Sequence, residues 1–170
     1  MMNAPIHILF IEDNPGDARL VKEELLTASS KTIIHLEWVD RLEKGLERLA
    51  SNHFEAVLLD LSLPDSEGLD TLHRILASAP SLPVIVMTGQ TDEAVATQAV
   101  QAGAQDYLIK GQVDGRLLIR SIQYAVQRKQ TEMQLADALE FTERILTSAP
   151  IGILTYKFTG ECLSANAYAA

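Results

Sequence analysis

Short apolar segments alternate along the chain with longer stretches in which apolar residues recur every three or four positions. The apolar segments cover residues 6–11, 33–39, 56–61, 83–88 and 106–110. Short apolar runs bounded by turn residues are typical of buried strands, whereas a spacing of three or four residues predicts helices. The helical stretches cover residues 15–28, 42–51, 67–79 and 92–102, and a fifth begins at Asp114.

This alternation of five strands with five helices predicts an α/β fold with a doubly wound parallel sheet. We expect the flavodoxin-like strand order 2-1-3-4-5 and an extended C-terminal helix. In the first helix, Asn14 is the predicted N-cap and Pro15 the first helical residue. The residues expected to face the sheet from this helix are Ala18, Val21, Leu25 and Leu26.

Composition indicates one domain with an appendage and disfavours several classes of partner. The chain has 170 residues, of which 47% are hydrophobic and 22% charged. A net charge of -9 argues against direct nucleic-acid binding, because that binding depends on basic side chains. Cys162 is the only cysteine, which excludes an intrachain disulfide. With neither a signal peptide nor an apolar run long enough to span a membrane, we expect a cytoplasmic protein without membrane contact.

Polar residues stand at the carboxyl ends of four predicted strands. Any one of them could be a turn residue, a helix cap or a surface charge. In an open parallel sheet, however, ligands bind beyond the carboxyl ends of the strands, where the strand order reverses. The residues in these positions are Glu12 and Asp13 after the first strand, Asp60 in the third, Thr88 and Gly89 in the fourth, and Lys110 in the fifth.

These residue types together suit phosphoryl transfer. Three neighbouring carboxylates repel one another unless a cation binds among them, and Mg2+ prefers such oxygen ligands. Lys110, Thr88 and the N–H of Gly89 could contact a phosphoryl group. Asp60 could then act as a nucleophile and form an aspartyl phosphate.

The segments FIEDNPGDARL, LLDLSLPDSEGL, VIVMTGQ and AGAQDYLIKG resemble the receiver domain of bacterial two-component response regulators. The resemblance covers residues 5 to about 129, and we take 1–129 as the domain. It implies a signalling switch in which a histidine kinase or phosphotransfer protein phosphorylates Asp60. Such a domain catalyses only its own phosphorylation and dephosphorylation, so any output enzyme would lie beyond residue 170.

The same resemblance implies roles for the other site residues. Glu12, Asp13 and Asp60 would bind Mg2+, or Mn2+ in its place, together with the backbone carbonyl of Ser62. Thr88 and Lys110 would sense the phosphoryl group, and Tyr107 would change orientation with Thr88. The side chains of Ser62 and Gln90 are candidates for tuning the lifetime of the phosphorylated state.

Two residues depart from the usual pattern of this family. Gly111 follows the lysine where the family usually has proline, so the backbone after Lys110 has more conformational freedom. Glu12 replaces the commoner aspartate, and its longer side chain favours a water-mediated contact with the metal.

The C-terminal part of the chain suggests a linker followed by an incomplete domain. From Asp114 the sequence predicts one long helix that packs on the sheet through Leu117, Leu118, Ile119 and Ile122. Residues 130–148 are predicted to form a coiled-coil-like linker, and the fourth and fifth helices with this linker to form a homodimer. Residues 149–170 resemble the first strands of a PAS domain, and we expect them to be disordered or to pair locally.

Two other functions are consistent with parts of this pattern. Haloacid-dehalogenase-like phosphatases also use an aspartate nucleophile and magnesium, but they need a second carboxylate two residues later, where this chain has Ser62. A phosphorylation-independent interaction module is disfavoured because the three acids, Thr88 and Lys110 are all present.

Overall fold

The computed structural model describes residues 5–28, 33–89, 93–148 and 154–165. Its strands in chain order are β1 (Ile6–Ile11), β2 (Ile34–Val39), β3 (Ala56–Asp60), β4 (Ser62–Leu63), β5 (Ser66–Glu67), β6 (Val84–Thr88), β7 (Asp106–Ile109), β8 (Leu154–Tyr156) and β9 (Cys162–Ala165). Its helices are α1 (Pro15–Ala28), α2 (Leu42–Ser51), α3 (Leu69–Ser78), α4 (Glu93–Gln101) and α5 (Gly115–Ser148).

The main sheet has five parallel strands in the order β2-β1-β3-β6-β7. If only these five strands are counted along the chain, the order is 2-1-3-4-5, so the predicted doubly wound fold is confirmed. The additional strands β4 and β5 form a small antiparallel hairpin directly after β3. This hairpin occupies the carboxyl edge of the sheet beside Asp60.

Alternate residues of the central strands point to opposite faces of the sheet. Leu9 and Leu59 belong to a buried cluster that includes apolar residues of α2, α3 and α4. Phe10 and Leu58 belong to a second cluster that includes residues of α1 and α5. The central strand β3 is buried along its whole length, because both of its faces are covered.

The N-terminus of α1 agrees with the prediction, but its apolar face is narrower than expected. The Asn14 side chain accepts hydrogen bonds from the N–H groups of Gly16, at 2.8 Å, and Asp17, at 3.4 Å. Leu25 is buried, whereas Leu26 is 68% exposed, so its predicted inward orientation is wrong. Adjacent residues of a helix differ in direction by about 100°, so both leucines cannot face the sheet.

The chain divides into two compact units, which cover residues 1–129 and 130–170. Helix α5 contributes residues to both units. In the first unit α5 buries Leu118 and Ile122 against the sheet, while Leu117 remains 45% exposed and does not pack as predicted. Beyond residue 129 the helix carries exposed apolar residues, among them Leu135 and Leu139.

The second unit also contains an antiparallel hairpin, which β8 and β9 form. Residues 154–165, which belong to the segment expected to be disordered or to pair locally, form this hairpin. Residues 149–153 and 166–170 lie outside the described part of the chain. Among the described helices, none has a stretch that is both long and apolar enough to cross a membrane.

Candidate functional site

The carboxyl ends of β1, β3, β6 and β7 meet at one edge of the main sheet. The parallel register pairs Ile11 with Leu59, Asp60 with Met87, and Thr88 with Ile109. The residues that end these strands, or follow them by one or two positions, are therefore level with one another. Glu12, Asp13, Asp60, Thr88 and Lys110 were predicted to converge here. The structure contains this convergence.

Lys110 lies among three carboxylates. Its Nζ is 2.6 Å from Glu12 Oε2, 2.6 Å from Asp60 Oδ2 and 3.4 Å from Asp17 Oδ2. Burial by itself would lower the pKa of Lys110, but its hydrogen bond to Asp60 and the negative charges of Asp60 and Glu12 raise it above its usual value. Lys110 is therefore fully protonated and is the counterion of this acidic cluster.

Glu12 is the most buried ionisable residue of the site. Its side chain is fully shielded from solvent, and burial raises its pKa to about 7. The Asp60 charge adds to this rise, whereas the nearby Lys110 ammonium opposes it. Glu12 Oε1 accepts a hydrogen bond from the Asn14 N–H at 3.1 Å. Glu12 Oε2 forms an ion pair with Lys110 Nζ but accepts no hydrogen bond, although it is buried.

The donor set fits a hard divalent cation. One oxygen from each of Glu12, Asp13 and Asp60 lies within 4.8 Å of the others. Among the described residues, these form the one cluster of three candidate ligands. Carboxylate oxygens are ligands that Mg2+ prefers, and a buried oxygen that lacks a well-aligned hydrogen bond is suited to a cation. These residues therefore could hold Mg2+.

A cleft lies on the other side of Asp60, between β4 and the end of β6. Ser62 begins β4, and its N–H donates a hydrogen bond to Asp60 Oδ1 at 3.1 Å. Thr88 is 5% exposed, and its carbonyl accepts a hydrogen bond from the Lys110 N–H at 2.7 Å. The residues that line the cleft include Asp60, Ser62, Glu67, Gly68, Thr88 and Gly89. A small anion next to Asp60 would contact these groups.

Of the two remaining predicted residues, only Tyr107 is among the described residues, and it lies outside this arrangement. Tyr107 lies in the middle of β7, opposite Val86, and packs half-buried against the cluster on the α4 face. Gln90 lies outside the described residues.

Sequence reasoning did not identify three polar side chains near the site. Asp17 contacts Lys110 as described above. The Trp38 indole N–H donates to the backbone carbonyl of Glu12 at 2.7 Å, which fixes the chain just before Asp13. Asp65 accepts hydrogen bonds from the N–H groups of Leu42, at 3.0 Å, and Glu43, at 2.9 Å, and so caps α2.

Of these three residues, only Asp17 could have been found from the sequence, because an acid in the first turn of α1 lies at the carboxyl edge of the sheet.

The hydrogen bonds to Asp65 also affect its ionisation. Burial opposes ionisation of this carboxyl, but the hydrogen bonds from the N–H groups of Glu43 and Leu42 outweigh burial and lower its pKa.

Comparisons with known proteins identify the family of the chain. The family model described as "Response regulator receiver domain" matches residues 8–123. The response regulator ArlR of Staphylococcus haemolyticus is 30% identical over 131 residues, which are 77% of this chain and 57% of that protein. The regulatory protein LuxO of Vibrio vulnificus is 34% identical over 100 residues, 59% of this chain and 21% of the relative. The chain thus spans less than two thirds of each of these relatives.

Solved structures give the same result for the fold. A response regulator receiver domain protein from Clostridium thermocellum has a TM-score of 0.65 and 27% identity, with 74% of this chain and 98% of that chain covered. A CheY-like receiver domain protein from Methanospirillum hungatei has a TM-score of 0.64 and 24% identity, with coverages of 76% and 99%. At this lower identity the second similarity bears on the fold alone.

Proposed function

Because the chain belongs to the response regulator receiver domain family, we propose that Asp60 is its phosphoacceptor and that Glu12, Asp13 and Asp60 bind Mg2+ for the reaction. The donor would be a histidine kinase or a histidine phosphotransfer protein. The observation that carries the proposal is the position of the Asp60 carboxylate, which lies between Lys110 and the cleft lined by Thr88 and Gly89.

The chemistry follows from the charges around Asp60. A carboxylate oxygen of Asp60 attacks the phosphorus of a phosphohistidine, the phosphorus–nitrogen bond breaks, and the imidazole takes back its electron pair. When bound, a divalent cation would neutralise negative charge on the phosphoryl oxygens. Lys110 contributes a second positive charge from the α1 side of the site. The Ser62 N–H orients the Asp60 carboxylate through its hydrogen bond to Oδ1.

The phosphorylated state would then be relayed to the surface of the domain. We propose that Thr88 and Gly89 bind the new phosphoryl oxygens and that Tyr107 follows Thr88, which alters the surface of α4 and α5. The side chain of Ser62 borders the cleft and would affect the access of hydrolytic water, as would Gln90.

A helical connection to a downstream domain completes the proposal. The apolar residues Leu135 and Leu139 are about 60% exposed in α5, and a parallel homodimer would bury them. Residues 149–170 would begin a PAS domain, whose position this helix would control. A monomer in sedimentation, with and without a phosphoryl mimic, would contradict the dimer.

Phosphorylation by a small donor tests the central claim. Acetyl phosphate with Mg2+ should add one phosphoryl group to the chain, as intact mass measures, and Mn2+ should replace Mg2+. Asp60→Asn or a chelator should abolish labelling. Equal labelling of Asp60→Asn would show that the assignment is wrong. Rapid turnover of free phosphate esters would instead favour the phosphatase alternative, although this chain has Ser62 at the position where such phosphatases need a second carboxylate.

A further inference from the structure

The loop that joins Lys110 to α5 has a backbone that proline could not adopt. Gly111 has a φ of +77°, and a Cβ at this position would meet no atom within 4 Å. Proline restricts φ to about −65°, so the proline usual in this family is incompatible with the conformation seen here. A glycine at this point also leaves the loop freer to move. Residue 111 therefore does not restrain the backbone beside Lys110 in the way that proline would.

Two carboxylates of α1 contact the two ends of this loop. Asp17 Oδ2 lies 3.4 Å from Lys110 Nζ, and Glu24 Oε2 accepts a hydrogen bond from the Gly115 N–H at 2.7 Å. Residues seven positions apart lie on the same face of a helix, so Asp17 and Glu24 both point toward the loop. Val21 lies between them and is buried.

The contact at Gly115 is unusually close. A Cβ at Gly115 would lie 2.1 Å from the backbone oxygen of Glu24 and 2.8 Å from the Cβ of Ala28. The first residue of α5 is therefore in backbone contact with α1. The loop between Lys110 and Gly115 is attached to α1 at its end by packing as well as by a hydrogen bond.

We propose that Asp17 and Glu24 hold the 110–115 loop at its two ends and that Asp17 thereby acts as a positioning residue for Lys110. The role of Lys110 rests on the proposed phosphorylation of Asp60; the two contacts with α1 do not.

The three acidic partners of Lys110 differ in what the reaction requires of them. Asp60 becomes an acyl phosphate and loses its carboxylate charge, and Glu12 is a proposed metal ligand. Asp17 has neither of these tasks. It is the partner that can remain with Lys110 throughout the reaction, and it restricts a side chain with four flexible methylene groups.

The first test measures the two contacts without any phosphorylation. Glu24→Ala should make the Gly115 amide exchange its hydrogen about tenfold faster, because a charge-assisted hydrogen bond is lost. Glu23→Ala is the matched control, since Glu23 lies on the same helix and pairs with Arg19 in solvent. In urea unfolding, a cycle of Asp17→Asn and Lys110→Met should show a coupling of about threefold in the unfolding constant. Unchanged hydrogen exchange at Gly115, or additive effects of Asp17→Asn and Lys110→Met on unfolding, would show that Glu24 and Asp17 do not hold the loop.

The second test measures positioning through the reaction. Asp17→Asn should slow phosphorylation by acetyl phosphate at saturating Mg2+ about fivefold, and Asp17→Glu should restore most of the rate, because a carboxylate again reaches Lys110. In a Lys110→Ala background, Asp17→Asn should have no further effect. An equal loss in both backgrounds would refute a role through Lys110. If the parent protein is not labelled at all, the proposed function is wrong. The exchange and unfolding tests still decide whether Asp17 and Glu24 hold the loop.

Discussion

Replacing Lys110 with methionine should destabilise the protein by an amount that depends on pH. The substitution keeps the length of the side chain but removes the ammonium that contacts Asp60 and Glu12, each at 2.6 Å. Hydrogen bonds between charged groups contribute about 1.5–3 kcal/mol when they are shielded from water. Lys110 is 20% exposed and Asp60 10%, so about 2 kcal/mol is expected from this pair at any pH near neutrality.

The pH dependence comes from Glu12. Its pKa is about 7 in the folded protein and 4.5 ordinarily, so the folded state binds the proton more tightly. The stability that this proton contributes is complete below pH 4.5 and is lost as the pH rises through 7. Without Lys110 the pKa of Glu12 should rise further, and the loss of stability should continue above pH 7. The difference between the two proteins should therefore grow by up to about 1.4 kcal/mol per pH unit in that range.

Urea unfolding without divalent cations, followed by the fluorescence of Trp38, would measure this difference. Trp38 is the only tryptophan, and its indole N–H is bonded to the Glu12 carbonyl, so the signal comes from the domain that contains the site. Lys44→Met is the matched control, because Lys44 contacts Asp40 at 2.6 Å but in solvent. This control should change stability little at either pH.

The expected result is a cost of about 2 kcal/mol near pH 6 that exceeds 3 kcal/mol near pH 8. Added Mg2+ should reduce the cost at the higher pH, because a cation among the acids replaces the positive charge that the variant lacks and so stabilises the variant more than the parent. Equal costs at the two pH values would show that Glu12 is not coupled to Lys110. A cost no larger than that of Lys44→Met would refute the view that Lys110 is the counterion of a buried cluster.

Three other predictions follow from single contacts. Asp65→Ala should destabilise the protein by about 1 kcal/mol in urea unfolding, because two N–H groups at the start of α2 lose their acceptor. Asp65→Asn should destabilise it less, because the amide oxygen can still accept one of these hydrogen bonds. Gly115→Ala should cost about 2–3 kcal/mol, since its Cβ would lie 2.1 Å from the Glu24 carbonyl oxygen, and an unchanged melting temperature would contradict this. Titration calorimetry should show Mg2+ affinity rising up to about tenfold per pH unit below 7, because Glu12 must release its proton, and Glu12→Gln should abolish this pH dependence.

The sheet and most helix boundaries were predictable because their signals are local. Asn14 before Pro15 specifies the start of α1, and the apolar run that ends at Asp60 specifies a buried strand. The alternation of strands and helices then restricts the topology to very few choices. Since the carboxyl ends of parallel strands share one edge, the convergence of Glu12, Asp60 and Lys110 follows from the topology without any knowledge of side-chain positions.

The contacts that the sequence did not reveal join residues that are distant along the chain. Asp65 caps a helix 23 residues earlier, Trp38 bonds to a carbonyl 26 residues away, and Glu24 reaches Gly115 across 91 residues. No periodicity or motif records such pairs, because each side chain would be equally acceptable at the surface. Leu26 was mispredicted for a simpler reason: two adjacent leucines in a helix look alike in sequence, and only the packing of α1 on the sheet distinguishes them.

The charge balance of the site makes the surroundings of Lys110 depend on whether a cation or a phosphoryl group is bound there. Glu12, Asp17 and Asp60 already share the single ammonium of Lys110, so a divalent cation among the acids must weaken its attraction to them. The phosphorylation proposed for Asp60 would then remove its carboxylate charge and add oxygens that attract Lys110 again. Each change acts on a residue that is only five positions from the start of α5, through a loop without proline. Any displacement of Lys110 would therefore have a short covalent route to α5, in addition to the route proposed through Thr88 and Tyr107.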